Sequence, residues 1–224
     1  MITSPNTAVD LYCERTSAEF WAEPVNAFSN LSFIVAALAI VWLMRRTEVR
    51  SSGPALFLTI NLVAIGLGSF LFHTLANRLM MLADLLPIFI YQIAFLLFYA
   101  RCVAGSKALT VAGLLILFLL VNLGFMQLPK EWLNGSLVYG GALLFILAIA
   151  AYHRASGKRE PAILYLAVIV FALALACRSL DQWICQWSPL GTHFLWHLLV
   201  GGVLYLTTRA YVLNQPPPHP SGAE

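Results

Sequence analysis

The sequence predicts an all-α membrane protein, a bundle of seven transmembrane helices. Hydrophobic residues occupy 60% of its 224 positions and charged residues only 10%, whereas a soluble domain carries about 25% charged residues to cover its surface. The apolar residues form seven long runs and lack the alternation of membrane β-barrel strands. Seven spans of roughly 20 residues use about 140 positions, so no separate soluble domain fits. The net charge of +3 is scattered over the loops and predicts no nucleic-acid partner.

The seven runs are 17 to 22 residues long, which is the length that a helix needs to cross hydrocarbon. Residues that favour turns, such as Gly53, Pro54, Ser188 and Pro189, separate neighbouring runs. The predicted spans are 26–43, 54–74, 79–100, 108–125, 133–152, 161–177 and 192–208.

We divide the chain into an acidic extracytoplasmic segment (1–25), a seven-transmembrane domain (26–213) and a disordered Pro-rich tail (214–224). The opening segment lacks the basic and apolar regions of a cleaved signal peptide, so we expect the working protein to retain it. Orientation follows from Lys and Arg, which are enriched in cytoplasmic loops. The odd-numbered loops and the C-terminus hold nine, and the N-terminus and even-numbered loops hold four (Arg15, Arg78, Lys130, Arg178). The N-terminus is therefore predicted to be extracytoplasmic and the C-terminus cytoplasmic.

Few ionisable residues fall inside the predicted spans. Apart from tyrosines and two cysteines near helix ends, these residues are His73, Asp84, His193 and His197. A charged group in hydrocarbon costs several kcal/mol, about 2.5–3.5 on insertion scales, so such residues need a partner or a function. With the predicted topology, all four lie at the extracytoplasmic end of the bundle.

The spacing of these residues indicates a metal site. His193 and His197 are one helical turn apart, which places two imidazoles about 6 Å apart on one face, within reach of a single ion. With His73 they supply three neutral imidazoles, the ligand set of a catalytic zinc whose open position holds a water of pKa about 7. Asp84 is placed to accept a proton or to fix a histidine tautomer. Ser69, one turn before His73, is placed to donate to an oxyanion.

Several alternatives remain at this stage. The histidines are also compatible with packed, hydrogen-bonded core residues or with haem ligation, and Ser69 with a bond to its own backbone. A receptor or transporter that keeps a structural metal is the alternative class. A retinal protein is disfavoured because all three lysines lie in predicted loops; they are Lys107, Lys130 and Lys158.

Together these residues match a family signature. Ser69 with His73, Asp84 eleven positions later, and His193 with His197 resemble the S-x-x-x-H, D and H-x-x-x-H motifs of the CREST superfamily of membrane hydrolases. Residues 12–14 (Tyr-Cys-Glu) and 22–30 (Ala-Glu-Pro-Val-Asn-Ala-Phe-Ser-Asn) are similar to the opening of alkaline ceramidases. The similarity covers nearly the whole chain.

The resemblance implies a zinc-dependent amidase that hydrolyses ceramide to sphingosine and a fatty acid. In that family pattern His73, His193 and His197 bind zinc, Asp84 acts as the base and Ser69 steadies the tetrahedral intermediate. The implied partner is a membrane lipid, either ceramide or another N-acyl lipid. The short loops suit a bacterial inner membrane or a eukaryotic endomembrane, with the site facing the extracytoplasmic side.

The resemblance also implies two features of the opening segment. Animal alkaline ceramidases bind calcium here, which carries Glu14 and Glu23 over as Ca²⁺ ligands, although Leu11 stands where an aspartate is expected and Arg15 adds a positive charge. The alternative is a solvated acidic tail. A disulfide between Cys13 and Cys185 is expected, because both lie in extracytoplasmic segments where oxidation is permitted and residues 181–185 resemble the family segment that pairs with the N-terminal cysteine.

Overall fold

The computed structural model describes residues 7–47 and 52–216, and every regular element in these ranges is helical. Six helices within these ranges are long and apolar enough to cross a membrane, which confirms an all-α, multi-pass membrane protein. Within the described ranges the only extended pairing is an isolated bridge between Ala8 and Asn77. The α-helices are α1 (Pro24–Ser29), α2 (Leu31–Arg46), α3 (Gly53–Leu75), α4 (Arg78–Phe98), α5 (Ala108–Met126), α6 (Gly140–Ala155), α7 (Ile163–Ile184) and α8 (His193–Asn214).

Helices α6 and α7 extend beyond the predicted spans and include polar residues that find partners. Helix α7 continues past position 177 to Ile184 and so includes Arg178 and Asp181. Helix α6 continues to Ala155 and includes His153, which is fully buried and hydrogen-bonded to Tyr99. Arg178, Asp181 and His153 therefore lie within helices although they fall outside the predicted spans.

Two irregular helical segments were not predicted. A π-helix, Tyr99–Val103, continues α4. A 3₁₀ segment, Trp132–Tyr139, precedes α6 and contains three residues with positive φ, namely Leu133, Asn134 and Gly135.

Helix α8 is similar in length to the six helices that can cross a membrane, but it is less apolar. Its 22 residues include two histidines, two threonines and Arg209, so it is not among the six helices whose composition suits a membrane span. It nevertheless lies inside the bundle, packed against α7, α2 and α3. The predicted count of seven spans stays a prediction, as does the orientation. Residues 217–224, most of the predicted tail, lie outside the described residues, as do 48–51 of the first loop.

Close packing of α3 on α4 brings the two halves of one sequence motif together. Gly68 lies on α3, where a Cβ atom would collide with the backbone carbonyl of Ala83 on α4. Glycine is required here because only a residue without a side chain allows so close an approach. The contact places Ser69 and His73 beside Asp84, which follows Ala83 in the chain.

The described part of the opening segment, residues 7–25, is packed against the fold and is not a solvated tail. Glu14 and Glu23 are only 8% and 3% exposed. The amide of Val9 donates to the carbonyl of Ala76 at 2.8 Å, which attaches the segment to the turn between α3 and α4. A disulfide joins Cys13 to Cys185, 172 residues later, at the end of α7.

Removing this disulfide is expected to destabilise the protein. In the Cys13→Ser, Cys185→Ser double variant we expect the free energy of unfolding to fall by about 2–5 kcal/mol, because the cross-link closes a long loop. Thermal unfolding in detergent measures the change. Alanine replacement of Cys102 and Cys177, which are free, is the matched control and should have a smaller effect. Four free thiols in the denatured, unreduced wild-type protein would contradict the prediction.

Candidate metal centre

Helices α3 and α8 each present histidine to the same buried point. His73 lies in the last turn of α3, and His193 and His197 lie in the first two turns of α8. All three side chains are at most 2% exposed. One nitrogen from each ring lies within 4.8 Å of the other two, so the three residues that sequence spacing singled out are brought together.

The start of α8 is fixed by Asp181 of α7. Its Oδ1 accepts hydrogen bonds from the amides of Thr192 at 2.7 Å and His193 at 2.8 Å, and its Oδ2 accepts the amide of Cys13 at 3.0 Å. A carboxylate at a helix N-terminus satisfies amides that have no partner within the helix and suits the helix dipole. Asp181 therefore holds both His193 and the disulfide-linked segment.

The hydrogen-bond partners determine which nitrogens of His73 and His197 carry protons. His73 Nδ1 lies 2.6 Å from the Glu23 carboxylate, so it donates. His197 Nδ1 lies 2.7 Å from Ser29 Oγ, and that hydroxyl already donates to the carbonyl of Asn26, so the histidine donates here too. In neutral rings both Nε2 atoms are then unprotonated.

These two unprotonated Nε2 atoms face each other at 3.2 Å. Facing lone pairs repel unless they share a cation. Two nitrogens bound to one tetrahedral zinc at about 2.0–2.1 Å lie about 3.3 Å apart, which matches the observed spacing. His193 Nδ1 is buried and has no hydrogen-bond partner. The arrangement fits a metal ion, and the partners of His73 and His197 are of the kind that orient metal-binding histidines.

Asp84 and Ser69 lie beside the three histidines. Asp84 is buried on α4, and Ser69 is buried on α3 and hydrogen-bonds to the Asp84 carboxylate. Asp84 is also close enough to His73 to interact electrostatically with it. A carboxylate and a hydroxyl thus flank the histidine cluster, as the sequence pattern predicted, and the assignment of catalytic roles to them stays a prediction.

The structure gives no support to Glu14 and Glu23 as calcium ligands. Both oxygens of Glu14 accept backbone amides, from Val25 at 2.7 Å and Asn26 at 2.8 Å. Glu23 accepts the guanidinium of Arg15 at 2.5 Å as well as His73. Burial acts to raise the pKa of Glu23, but hydrogen bonds from His73, Arg15 and Asn26 lower it below the ordinary value, so this carboxyl stays ionised at neutral pH.

Glu23 is accordingly expected to support the metal ligand His73. In Glu23→Gln we expect zinc affinity to fall about 10–100-fold, the usual effect of losing a carboxylate that orients a ligating histidine. Competition with a chromophoric chelator measures the affinity. Glu160→Gln, which removes a partly exposed carboxylate paired with Arg209, is the control and should leave the affinity unchanged. Equal zinc affinities in wild type and Glu23→Gln would refute this role.

Several residues near the site were missed by sequence reasoning. Tyr12 stacks on the His193 ring with centroids 3.5 Å apart and hydrogen-bonds to Arg178. Burial raises the pKa of the Tyr12 phenol, so it stays protonated. Arg178 in turn donates to Ser136 at 3.0 Å. An Arg in a loop and a Tyr in a tail carry no spacing signal, so only the packing identifies them. Residues 181–185 were noticed, but only for the cysteine and not for Asp181.

A sequence model of one family, described as Ceramidase, matches residues 4–215. The chain belongs to the ceramidase family. No curated protein sequence matches it. As a ceramidase-family protein it is a hydrolase with a lipid substrate, embedded in a membrane by apolar helices. The matched region contains all three histidines, Asp84 and Ser69, so the buried cluster lies within the part of the chain that defines the family.

Proposed function

We propose that this protein is a zinc-dependent amidase that hydrolyses the amide bond of ceramide, or of a related N-acyl lipid, to a fatty acid and a free sphingoid base. The observation that carries the proposal is the convergence of three buried imidazoles beside a buried carboxylate and hydroxyl. Family membership supports lipid hydrolysis, and the facing unprotonated nitrogens of His73 and His197 support a cation at this point.

Each side chain has a distinct role in this proposal. His73, His193 and His197 would hold the ion through unprotonated ring nitrogens, with Glu23 and Ser29 fixing the tautomers of His73 and His197. Zinc supplies Lewis-acid polarisation of a carbonyl and lowers the pKa of a water to about 7.

Asp84 and Ser69 carry the proton and oxyanion roles in the proposal. Asp84 accepts a proton from the attacking water and passes it to the leaving amine. Ser69 donates a hydrogen bond to the oxyanion that forms on the amide carbonyl.

An apolar cavity inside the bundle supports a lipid substrate. Its walls include Trp196, which lies between the two histidines of α8, and Thr207 further along the same helix. These residues are separated by about 16 Å along the helix axis, so the cavity extends from the level of the site into the bundle. Aliphatic and aromatic side chains line most of it, which suits a hydrocarbon chain.

We further propose that α8 is a seventh span, with the N-terminus extracytoplasmic and the C-terminus cytoplasmic. Its length and its position inside the bundle support this count, and the distribution of Lys and Arg supports the orientation. The disulfide supports an oxidising compartment on the side of the opening segment. A C-terminal fusion to a reporter that is active only in the cytoplasm should be active. An inactive reporter with a fully translated fusion would refute the orientation.

The function is tested by metal analysis of purified protein together with fatty-acid release from labelled ceramide. We expect about one zinc per chain. Fatty-acid release should stop when the metal is removed and should return when Zn²⁺ is added. A mass-spectrometric comparison of lipid extracts treated with active and metal-free protein identifies any other N-acyl substrate. Stoichiometric zinc without amide hydrolysis in either assay would refute the proposal and favour a receptor or transporter with a structural metal.

A further inference from the structure

The guanidinium of Arg15 is buried in a cage of oxygen atoms. Its side chain is 5% exposed. Nε donates to Glu23 Oε1 at 2.5 Å, Nη1 to the carbonyls of Ser17 at 3.1 Å and Glu19 at 3.5 Å, and Nη2 to the carbonyl of His73 at 2.9 Å. One carboxylate and three backbone carbonyls therefore surround a single positive charge.

This set of acceptors has the chemistry of a hard-cation site. Ca²⁺ binds six to eight oxygens from carboxylates, backbone carbonyls and water, and the cage already supplies four. A buried carboxylate such as Glu23 also needs a nearby positive charge, because removing one partner of a buried pair leaves an uncompensated charge. Arg15 supplies that charge through a covalent tether and in a fixed geometry.

Arg15 holds His73 through two routes. It bonds to the carbonyl of His73 directly, and it bonds to one oxygen of Glu23 while the other oxygen accepts the proton of His73 Nδ1. The cation thus fixes the backbone and the imidazole of the same residue. It does not touch the proposed substrate position, so its role is one of positioning.

We propose that Arg15 is a built-in cation that takes the place of a divalent ion beside the metal centre. Because of it, the chain needs no calcium to hold Glu23 against His73, and removal of the guanidinium opens a cage that accepts Ca²⁺ or free guanidinium. The inference rests on the proposed histidine metal site but not on the proposed reaction.

The test measures zinc affinity and the unfolding temperature, Tm, of the full-length protein with and without millimolar Ca²⁺ or guanidinium chloride. The wild type should not respond to either cation. Arg15→Ala should bind zinc about 10–100-fold more weakly, and each cation should restore the affinity and raise Tm in a saturable manner. Sodium chloride at matched ionic strength should restore neither. The double variant Arg15→Ala, Glu23→Gln lacks the carboxylate of the cage and should not respond to Ca²⁺.

A second pair of variants keeps the test decisive if Arg15→Ala does not fold. Arg15→Lys retains a cation, whereas Arg15→Gln has a hydrogen-bonding amide without charge. The Arg15→Lys variant should therefore lose less zinc affinity than the Arg15→Gln variant. Arg209→Ala removes a partly exposed arginine paired with Glu160 and is the matched control, with unchanged zinc affinity.

Three results would overturn the proposal: a wild type that gains zinc affinity with Ca²⁺, an alanine variant that neither cation restores, or equal losses in the lysine and glutamine variants. If no fatty acid is released from ceramide or another N-acyl lipid while these cation responses persist, the proposed reaction is refuted and the proposed role of Arg15 still holds.

Discussion

Replacing His193 by alanine is expected to remove bound zinc and lipid hydrolysis together. The variant loses one of three metal-binding nitrogens, which lie within 4.8 Å of one another. Two imidazoles are one fewer than the three protein ligands of a catalytic zinc site. The metal supplies several kcal/mol of transition-state stabilisation, and each 1.36 kcal/mol is a factor of ten in rate. We therefore expect hydrolysis to fall by at least about a thousand-fold, with less than one tenth of the wild-type zinc content.

The control for this variant is His153→Ala. His153 is as deeply buried as His193 and is hydrogen-bonded to Tyr99 at 2.7 Å and to the carbonyl of Arg159 at 3.0 Å. It lies in the last turn of α6, outside the cluster, so its loss should lower stability and leave zinc content unchanged. Wild-type zinc content and turnover in His193→Ala would end the proposed mechanism.

The second large effect is expected in Asp84→Asn. The variant keeps the size and the hydrogen-bonding capacity of the side chain but cannot accept a proton as a carboxylate does. We expect kcat to fall about 10²–10⁴-fold, the usual contribution of a general base, while zinc content and KM change little. Steady-state kinetics on labelled ceramide, with metal analysis of the same samples, separates these quantities.

Ser69→Ala is the companion variant for Asp84→Asn. Loss of one oxyanion donor usually lowers kcat about 10²–10³-fold. Because Ser69 also bonds to Asp84, the two substitutions should be less than additive when combined. If zinc is lost in Asp84→Asn, the carboxylate holds the metal site together and is not the base. If turnover of Asp84→Asn remains within a few-fold of the wild type, Asp84 is neither the general base nor a residue that holds the metal site.

The metal centre depends on the opening segment, whose acidic composition is also typical of a solvated tail. Tyr12 stacks on His193, and Glu23 accepts the proton of His73 Nδ1. Both residues precede the first spanning helix, and the disulfide with Cys185 ties their segment to the end of α7. The segment therefore covers the histidines at this end of the bundle. Glu14 and Glu23 accept hydrogen bonds from backbone amides, Arg15 and His73, and the structure gives no support to them as calcium ligands.

Spacing predicted that His193 and His197 share a helical face, because an α-helix completes a turn about every four residues. The close packing of α3 on α4 at Gly68 brings His73 and Asp84 into the same region. Helix ends were predicted less well. The predicted spans ended before Arg178, Asp181 and His153, whereas the structure places all three within helices, with hydrogen-bond partners from distant parts of the chain.

The amino-acid sequence by itself determined the membrane class, the approximate helices and the identity of the metal-ligand candidates, because hydrophobic run length and helical periodicity are local properties. Only the tertiary structure shows which ring nitrogens of His73 and His197 donate, that the Arg15 guanidinium contacts Glu23, and that Asp181 accepts the first amides of α8. Several of these contacts join residues far apart in the chain, such as Glu23 with His73, 50 positions apart, and Cys13 with Asp181, 168 positions apart, and their geometry exists only once the helices have packed.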